Sequence, residues 1–332
     1  MMDSGTKILS GLAPKRLPGR TPRSQRGLAL ITAVLVVAIV ATVATTLALG
    51  EQVWFRQAQN MTDRAQAISL RQGAVSYAAI LLGRDGAQNQ VDHLKEIWAQ
   101  PLPPLPVENG MIAFKVDDAQ GRLNLNNLVR SGAPSVADIA MFQRLLTSQG
   151  LDPGASEALV DWLDPDSNAR PGGAEDTEYL SLPQPYRAAN QPLQSVDELR
   201  LVKGFSAKAV EKLRPYVTAL PAPTTVNVST APDQVLAALT NLSVTALKPL
   251  LDGRVDKPFM TIEEFKAQLP SGTKIDVAYG VNTGYFLVTI DIRFGRLQRQ
   301  TLALIQRTAG KATILWHQLP PLKLEADPDE KT

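Results

Sequence analysis

Between Leu28 and Leu49 the sequence reads LALITAVLVVAIVATVATTLAL, twenty-two residues without one charge. At about 1.5 Å per residue, a helix of that length crosses a hydrocarbon layer of roughly 30 Å. A core helix of a soluble domain keeps one polar seam for water, and this run has none, so it is read as a membrane span. Arg20, Arg23 and Arg26 directly precede it. Basic flanks stay cytoplasmic, which places everything from Glu51 onward on the far side of the membrane. The net charge of +2 over 332 residues hides this asymmetry. Residues 1–27 carry Lys7, Lys15, Arg16, Arg20, Arg23 and Arg26 against Asp3 alone, and removing that +5 leaves the remainder at −3.

Composition narrows the chemistry. Cys is absent, which excludes disulfides, thiolate nucleophiles and Cys-held metals, and His93 and His317 are the only imidazoles. The sequence holds no Gly-x-Ser-x-Gly, no Gly-rich phosphate loop with Lys and no His-Glu-x-x-His, so no enzyme is expected. An anchored hydrolase using Asp161 and Asp164 as an acid–base pair is the weaker alternative. Twenty-four prolines predict many short, interrupted elements.

Beyond the span, Met61, Ala65, Ile68, Gln72, Val75, Ala79 and Leu82 recur at steps of three and four. The pattern predicts one helix from Leu28 to about Leu82, its outer half laid on a domain, with Gly50 and Gly73 as points of close packing or a mild break. A further helix is read over Asp92 to Ala99. Pro101-Leu-Pro-Pro-Leu-Pro106 reads as a stiff connector, and Gly110 to Val116 as the first strand. Two later stretches share a design: Gly121-Arg-Leu-Asn-Leu-Asn-Asn-Leu128 and Thr225-Val-Asn-Val-Ser-Thr-Ala-Pro232 are each extended, place Asn between apolar residues and lead into a helix. They are read as two small helical modules whose Asn and Ser side chains cap free amides. Ser195 to Glu198 and Thr261 to Glu264 have the spacing of capping boxes. Ile275 to Val277, Gly284 to Arg293, Leu297 to Gln306 and Ala312 to Gln318 are rich in strand formers and predict a terminal antiparallel sheet, with a tight turn at Phe294-Gly-Arg296. The charged segment from Glu325 to Thr332 is expected to fray.

Two constellations point to binding. Asp164, Asp166 and Asn168 stand at positions one, three and five of a loop whose twelfth residue is Glu175, the oxygen-ligand spacing of an EF-hand. The glycine required at position six is replaced by Ala169, so the spacing points to a calcium loop with similar logic, against the plain reading of a solvated acidic loop. The second is Val202-Lys-Gly204-Phe-Ser206, which resembles a helix-hairpin-helix turn. Arg200, Lys203, Lys208, Lys212 and Arg214 surround it, but the second glycine is Ser206 and Asp197, Glu198 and Glu211 cancel most of the charge. A packing module is the favoured reading; a membrane-anchored DNA-uptake protein is the alternative.

The boundary Gln25-Arg26-Gly27 followed by Leu28-Ala29-Leu30-Ile31 resembles the type IV prepilin signal, the other reading being an uncleaved anchor. That boundary resembles the type II secretion pseudopilin K family when combined with Leu159-Val-Asp-Trp-Leu-Asp-Pro-Asp166, Gly173-Ala-Glu-Asp176, Leu213-Arg-Pro-Tyr-Val-Thr218 and Val226-Asn-Val-Ser-Thr-Ala-Pro232. The resemblance implies an α+β, pilin-like fold: a long N-terminal transmembrane helix packed on an antiparallel sheet, with a large α-helical insertion. The expected division is a basic leader at 1–27, the transmembrane and long N-terminal helix at 28–100, connector and first strand at 101–120, the inserted helical domain at 121–274 and the sheet at 275–332.

The resemblance further implies cleavage between Gly27 and Leu28 by a prepilin peptidase, with methylation of the new terminus. Pilins usually carry Glu at mature position five, where its carboxylate neutralises the amine of the preceding subunit; here that position is Thr32, the departure that marks the K family and suits a subunit with none before it. The implied role is a minor pseudopilin capping the periplasmic tip of the pseudopilus and nucleating its assembly. Its implied partners are the other minor pseudopilins, the major pseudopilin, the inner-membrane assembly platform, secreted substrates and the outer-membrane secretin. Calcium is implied in the insertion, adding Asp161 and Asp176 to Asp164, Asp166, Asn168 and Glu175 as candidate ligands. Nucleic acid is not an expected partner.

Overall fold

The computed structural model describes residues 25–108, 110–294 and 297–318. The basic leader up to residue 24, the turn residues Gly295 and Arg296 and the tail beyond Gln318 lie outside the described residues. In chain order the elements are helix α1 (Gln25–Gln88), strands β1 (Leu105–Val107), β2 (Gly110–Asp118), β3 (Leu123–Asn124), β4 (Val129–Arg130) and β5 (Ala133–Pro134), then helices α2 (Val136–Ser148), α3 (Ala155–Leu163), α4 (Asp176–Tyr179) and α5 (Ala207–Leu213). Strands β6 (Val217–Thr218) and β7 (Val226–Asn227) precede helices α6 (Asp233–Thr240), α7 (Val244–Asp256) and α8 (Ile262–Ala267). The chain then runs through β8 (Tyr279–Gly280), β9 (Tyr285–Phe294), β10 (Leu297–Thr308) and β11 (Lys311–Gln318). Two compact units divide the chain between Thr62 and Asp63.

The first unit, as described, is the apolar half of α1, the one helix among the described residues long and apolar enough to cross a membrane. Its hydroxyls return to their own helix: Thr32 Oγ1 donates to the carbonyls of Leu28 at 3.1 Å and Ala29 at 3.0 Å, and Thr42, Thr45 and Thr46 do likewise. Hydroxyls satisfied this way are compatible with an apolar surrounding.

In the second unit the rest of α1 packs on a five-stranded antiparallel sheet of order β1-β2-β9-β10-β11. Strand alternation sets the seam: Phe286, Val288, Ile290, Ile292 and Phe294 of β9 turn one face to Ala74, Val75, Ala78 and Leu82 of α1. Several expectations shift here. Helix α1 runs six residues past Leu82, and the lower members of the expected stripe, Met61 and Ile68, stay exposed. Gly50 and Gly73 neither break the helix nor pack closely, since a methyl group on either would meet nothing within 4 Å. The close approaches fall at Gly83, against the Gly310 carbonyl, and Gly86, where an added carbon would lie 2.5 Å from Arg307 Cδ. Asp92 to Ala99 holds only a 3-10 turn at Ile97–Ala99. The proline string ends in the edge strand β1, where the proline at 106 is tolerated.

Residues 119–284 form the insertion, and a pair of two-residue parallel ladders defines its parts: β3 pairs with β6, and β7 with β8. Each expected module therefore closes on itself, strand to helices to strand. The second ladder corrects two boundaries: Ile275 to Val277 forms no strand, and β8 belongs to the insertion, which runs on past residue 274. Both modules share one core that includes Leu125, Phe142, Leu159, Val210, Leu236 and Phe265. Strands β2 and β9 are register partners at Asp118 and Phe286, so the insertion leaves and re-enters the sheet at one place. That is the end where α1 finishes, because Asp85 of α1 meets Arg307 of β10 there.

Candidate metal and assembly sites

Helix α3 ends at Leu163 with Asp164 as its C-cap, and α4 starts after Glu175. The loop between them brings Asp164, Asp166 and Glu175 together, one carboxylate oxygen from each lying within 4.8 Å of the others. Two oxygens about 2.4 Å from a calcium ion on opposite sides are about 4.8 Å apart, so the spacing suits a hard cation. Asp164 Oδ1 and both oxygens of Glu175 are buried with no hydrogen-bond partner. Burial, reinforced by the neighbouring carboxylates, pushes Asp164 up to about 6 and Glu175 up to about 7. Buried carboxylates without donors call for a proton or a cation, and three oxygen ligands without nitrogen or sulfur fit calcium.

The other expected ligands do different work. Asp161, fully buried, accepts the amides of Arg170 at 3.1 Å and Ala174 at 2.8 Å and so folds the acidic loop back onto α3. Gly173 is required beside it, because a side-chain carbon there would fall on Asp161 Oδ2. Asp176 accepts from Arg187 Nη1 at 3.1 Å and from the Ala188 amide at 3.0 Å, which ties α4 to the next loop. Asn168 is exposed, and its amide donates to Asp166 Oδ1 at 2.8 Å. Thus the loop brings Asp164, Asp166 and Glu175 together, while Asp161 and Asp176 organise the loop around them.

A second carboxylate group, Asp85, Asp92 and Glu96, is already supplied with donors. Arg307 Nη1 donates to Asp85 at 2.7 Å and Nη2 to Asp92 at 2.6 Å; Asp92 also accepts the Thr283 amide at 2.7 Å. Glu96 accepts from Trp98 Nε1 at 2.7 Å, from the His93 amide at 3.1 Å and from Asn89 Nδ2. Burial raises Asp92 to about 6 and Glu96 to about 7. This cluster buckles α1, the connector, the returning end of the insertion and β10 to one another. Nothing in the sequence spacing reveals it, since Arg307 lies 215 residues from Asp92.

The helix-hairpin-helix turn is a packing device. Gly204 adopts φ +91°, and a side-chain carbon there would lie 2.8 Å from Ala155 Cβ. The Lys203 amide is spent on Tyr179 Oη at 3.3 Å, and its ammonium on Glu178 at 3.2 Å. Arg214 and Arg200 are held by Asp197 and Glu211. Ser206, in place of the second glycine, caps α5 through the Ala209 amide at 3.2 Å. With amides and guanidinium groups so engaged, the DNA-uptake alternative is not supported. Gly27, Leu28 and Thr32 all lie on α1 with exposed side chains or open space around them.

Known proteins agree with this architecture. A family model described as type II secretion system protein K matches residues 121–222, and a second of the same description matches 226–283, one for each module. A type II secretion system protein K of Pseudomonas aeruginosa is 36% identical over 299 residues, covering 86% of this chain and 90% of that one. One of Klebsiella pneumoniae is 34% identical over 304 residues, covering 85% and 93%. A chain from the crystal structure of the GspK-GspI-GspJ complex of the enterotoxigenic Escherichia coli type 2 secretion system superposes with a TM-score of 0.71 at 27% identity, over 79% of this chain and 99% of that one. The chain belongs to the type II secretion system protein K family, the minor pseudopilins.

Proposed function

We propose that this protein caps the periplasmic tip of the type II secretion pseudopilus and nucleates its assembly, as a structural subunit without catalytic activity. The observation that carries the reading is the insertion's position: residues 119–284 leave and return at the end of the sheet where α1 finishes. A bulky module there obstructs a further subunit stacked beyond it and leaves room for partners alongside. A relative in the GspK-GspI-GspJ complex is seen with two other subunits of its system, which favours other minor pseudopilins as the partners here. In this reading the leader is cut after Gly27 by the prepilin peptidase, the mature helix starting at Leu28 is anchored once in the inner membrane with its N-terminus cytoplasmic, and Thr32 suits a subunit with no predecessor amine to neutralise. The assembly platform, the secretin and the secreted proteins are its further proposed contacts. Calcium is the proposed cofactor, held by Asp164, Asp166 and Glu175; it would neutralise their mutual repulsion and fix the loop between α3 and α4.

N-terminal sequencing of the membrane-extracted protein tests the core of this reading. A start at Leu28, lost when Gly27 is replaced, is the expected result. An intact leader on a protein that still supports secretion overturns it.

A further inference from the structure

Helix α1 and strand β10 leave a cleft of about 330 Å³ between them near the start of β10. Its lining holds Arg64, Ile68 and Arg71 of α1 with Arg299 and Thr301 of β10, three guanidinium groups and no acid. Steps of four and three put residues 64, 68 and 71 on one face of the helix, and a step of two puts 299 and 301 on one face of the strand. Among the described residues these three arginines make no ion pair, whereas Arg307, farther along β10, is held by Asp85 and Asp92. The acids next in sequence do not reach in. Asp63 is rotated off the face of Arg64 by one helical step, and Asp291, on the opposite face of β9 from Ile292, accepts from Gln300 at 2.9 Å.

Two polar atoms of the lining are idle. Arg71 Nε and Thr301 Oγ1 are buried without a hydrogen-bond partner, and Thr301 is fully buried. Idle buried donors beside unpaired guanidinium groups call for an acceptor that carries negative charge, and a carboxylate serves both by its two oxygens. Ile68 narrows the source of that carboxylate. It is 51% exposed in the same lining, and a free anion would leave it in water. A protein surface that bears acids beside apolar side chains satisfies the arginines and covers Ile68 together.

We propose that the arginine-lined cleft between α1 and β10 is the docking site of a second subunit of the pseudopilus, one that inserts carboxylates beside Arg64, Arg71 and Arg299 and lays apolar surface over Ile68. The inference rests on the assembly role proposed above and deepens it by assigning the face that holds a neighbouring minor pseudopilin and the chemistry of that neighbour's contact.

The test uses the full chain in detergent, alone and purified with the other minor pseudopilins of its own system. The variants R71K and R299K put an amine where each guanidinium stands, and a zero-length carbodiimide joins an amine to a carboxylate in contact with it. In the complex, mass spectrometry is expected to find positions 71 and 299 bonded to Asp or Glu of another subunit. Phenylglyoxal should modify Arg64, Arg71 and Arg299 of the wild type at least about fivefold more slowly in the complex than in the free chain, and R64E/R71E/R299E should weaken association by at least as much. High salt should reverse the protection. Bonds formed only within this chain, or arginines equally slow in the free chain, overturn the proposal, because the cleft is then filled without a second subunit. A complex whose arginines react as fast as in the free chain overturns it alone. Failure to form any complex with those pseudopilins overturns it together with the assembly role on which it rests.

Discussion

Glu175 shows how one side chain can be wrong for its surroundings unless something joins it. Its carboxylate is buried, lacks donors and sits beside Asp164 and Asp166, and burial with those charges raises its pKa to about 7. Because both Glu175 and Asp164 titrate higher in the fold than free carboxylates, the metal-free protein binds more protons folded than unfolded. Its stability is therefore greatest at low pH in this respect and declines as pH rises from about 4 to 7. The proposed calcium binding would run the other way, because the ion displaces those protons. Calorimetry should find affinity rising between about pH 5.5 and 7.5 and levelling above it, and Glu175→Gln should lower affinity by roughly tenfold or more. Gly173→Ala forces Asp161 off its two amides and should cost about 2 kcal/mol of unfolding free energy, loosening the loop even though no ligand is changed. Arg307→Met leaves Asp92 buried beside Thr283 without its cation; a loss of about 3–5 kcal/mol in chemical denaturation is expected.

At the scale of elements, local rules read well from the sequence. The apolar run, the strand formers from Tyr285 onward and the box at Ser195, whose hydroxyl and Glu198 partner satisfy each other's backbone amides, all appear where spacing puts them. Ser195→Ala should cost about 1 kcal/mol in thermal or chemical unfolding. What spacing missed was decided over long sequence distances. Asn124 and Asn227 do cap the amides two residues on, but Asn126 donates to the carbonyls of Leu193 and Leu220, and Asn227 also to that of Asp92. Helix-hairpin-helix spacing gave the turn, and the acids counted against its basic residues, Asp197 and Glu211, are the ones that hold Arg200 and Arg214. Spacing in the acidic loop is enough to bring Asp164, Asp166 and Glu175 together, while the separate task of Asp161 depends on where Gly173 returns. Within α1, the apolar periodicity described burial only above Leu70: below it Met61, Ala65 and Ile68 are exposed.

At the scale of the whole molecule, the two modules share a core, so the loop proposed to hold calcium is expected to report on both. With calcium bound as proposed, chelation should lower the melting temperature of the helical insertion while amides of β9 and β10 keep their exchange protection, a split that hydrogen exchange resolves. Thr32→Glu should assemble and secrete nearly as well as the wild type if this subunit has none before it, and a severe secretion defect would argue for an interior position. The pairing of Asp118 with Phe286 has a consequence for how such a chain folds. Strands β2 and β9 amount to a hairpin whose loop is a domain. Closing a flexible loop costs only about 0.6 kcal/mol more for each doubling of its length, and a loop that has already folded with its ends side by side costs less still. The sheet is therefore indifferent to what is threaded between those two residues, and a short turn grafted from Asp118 to Tyr285 should leave α1 and the five strands standing as a bare pilin.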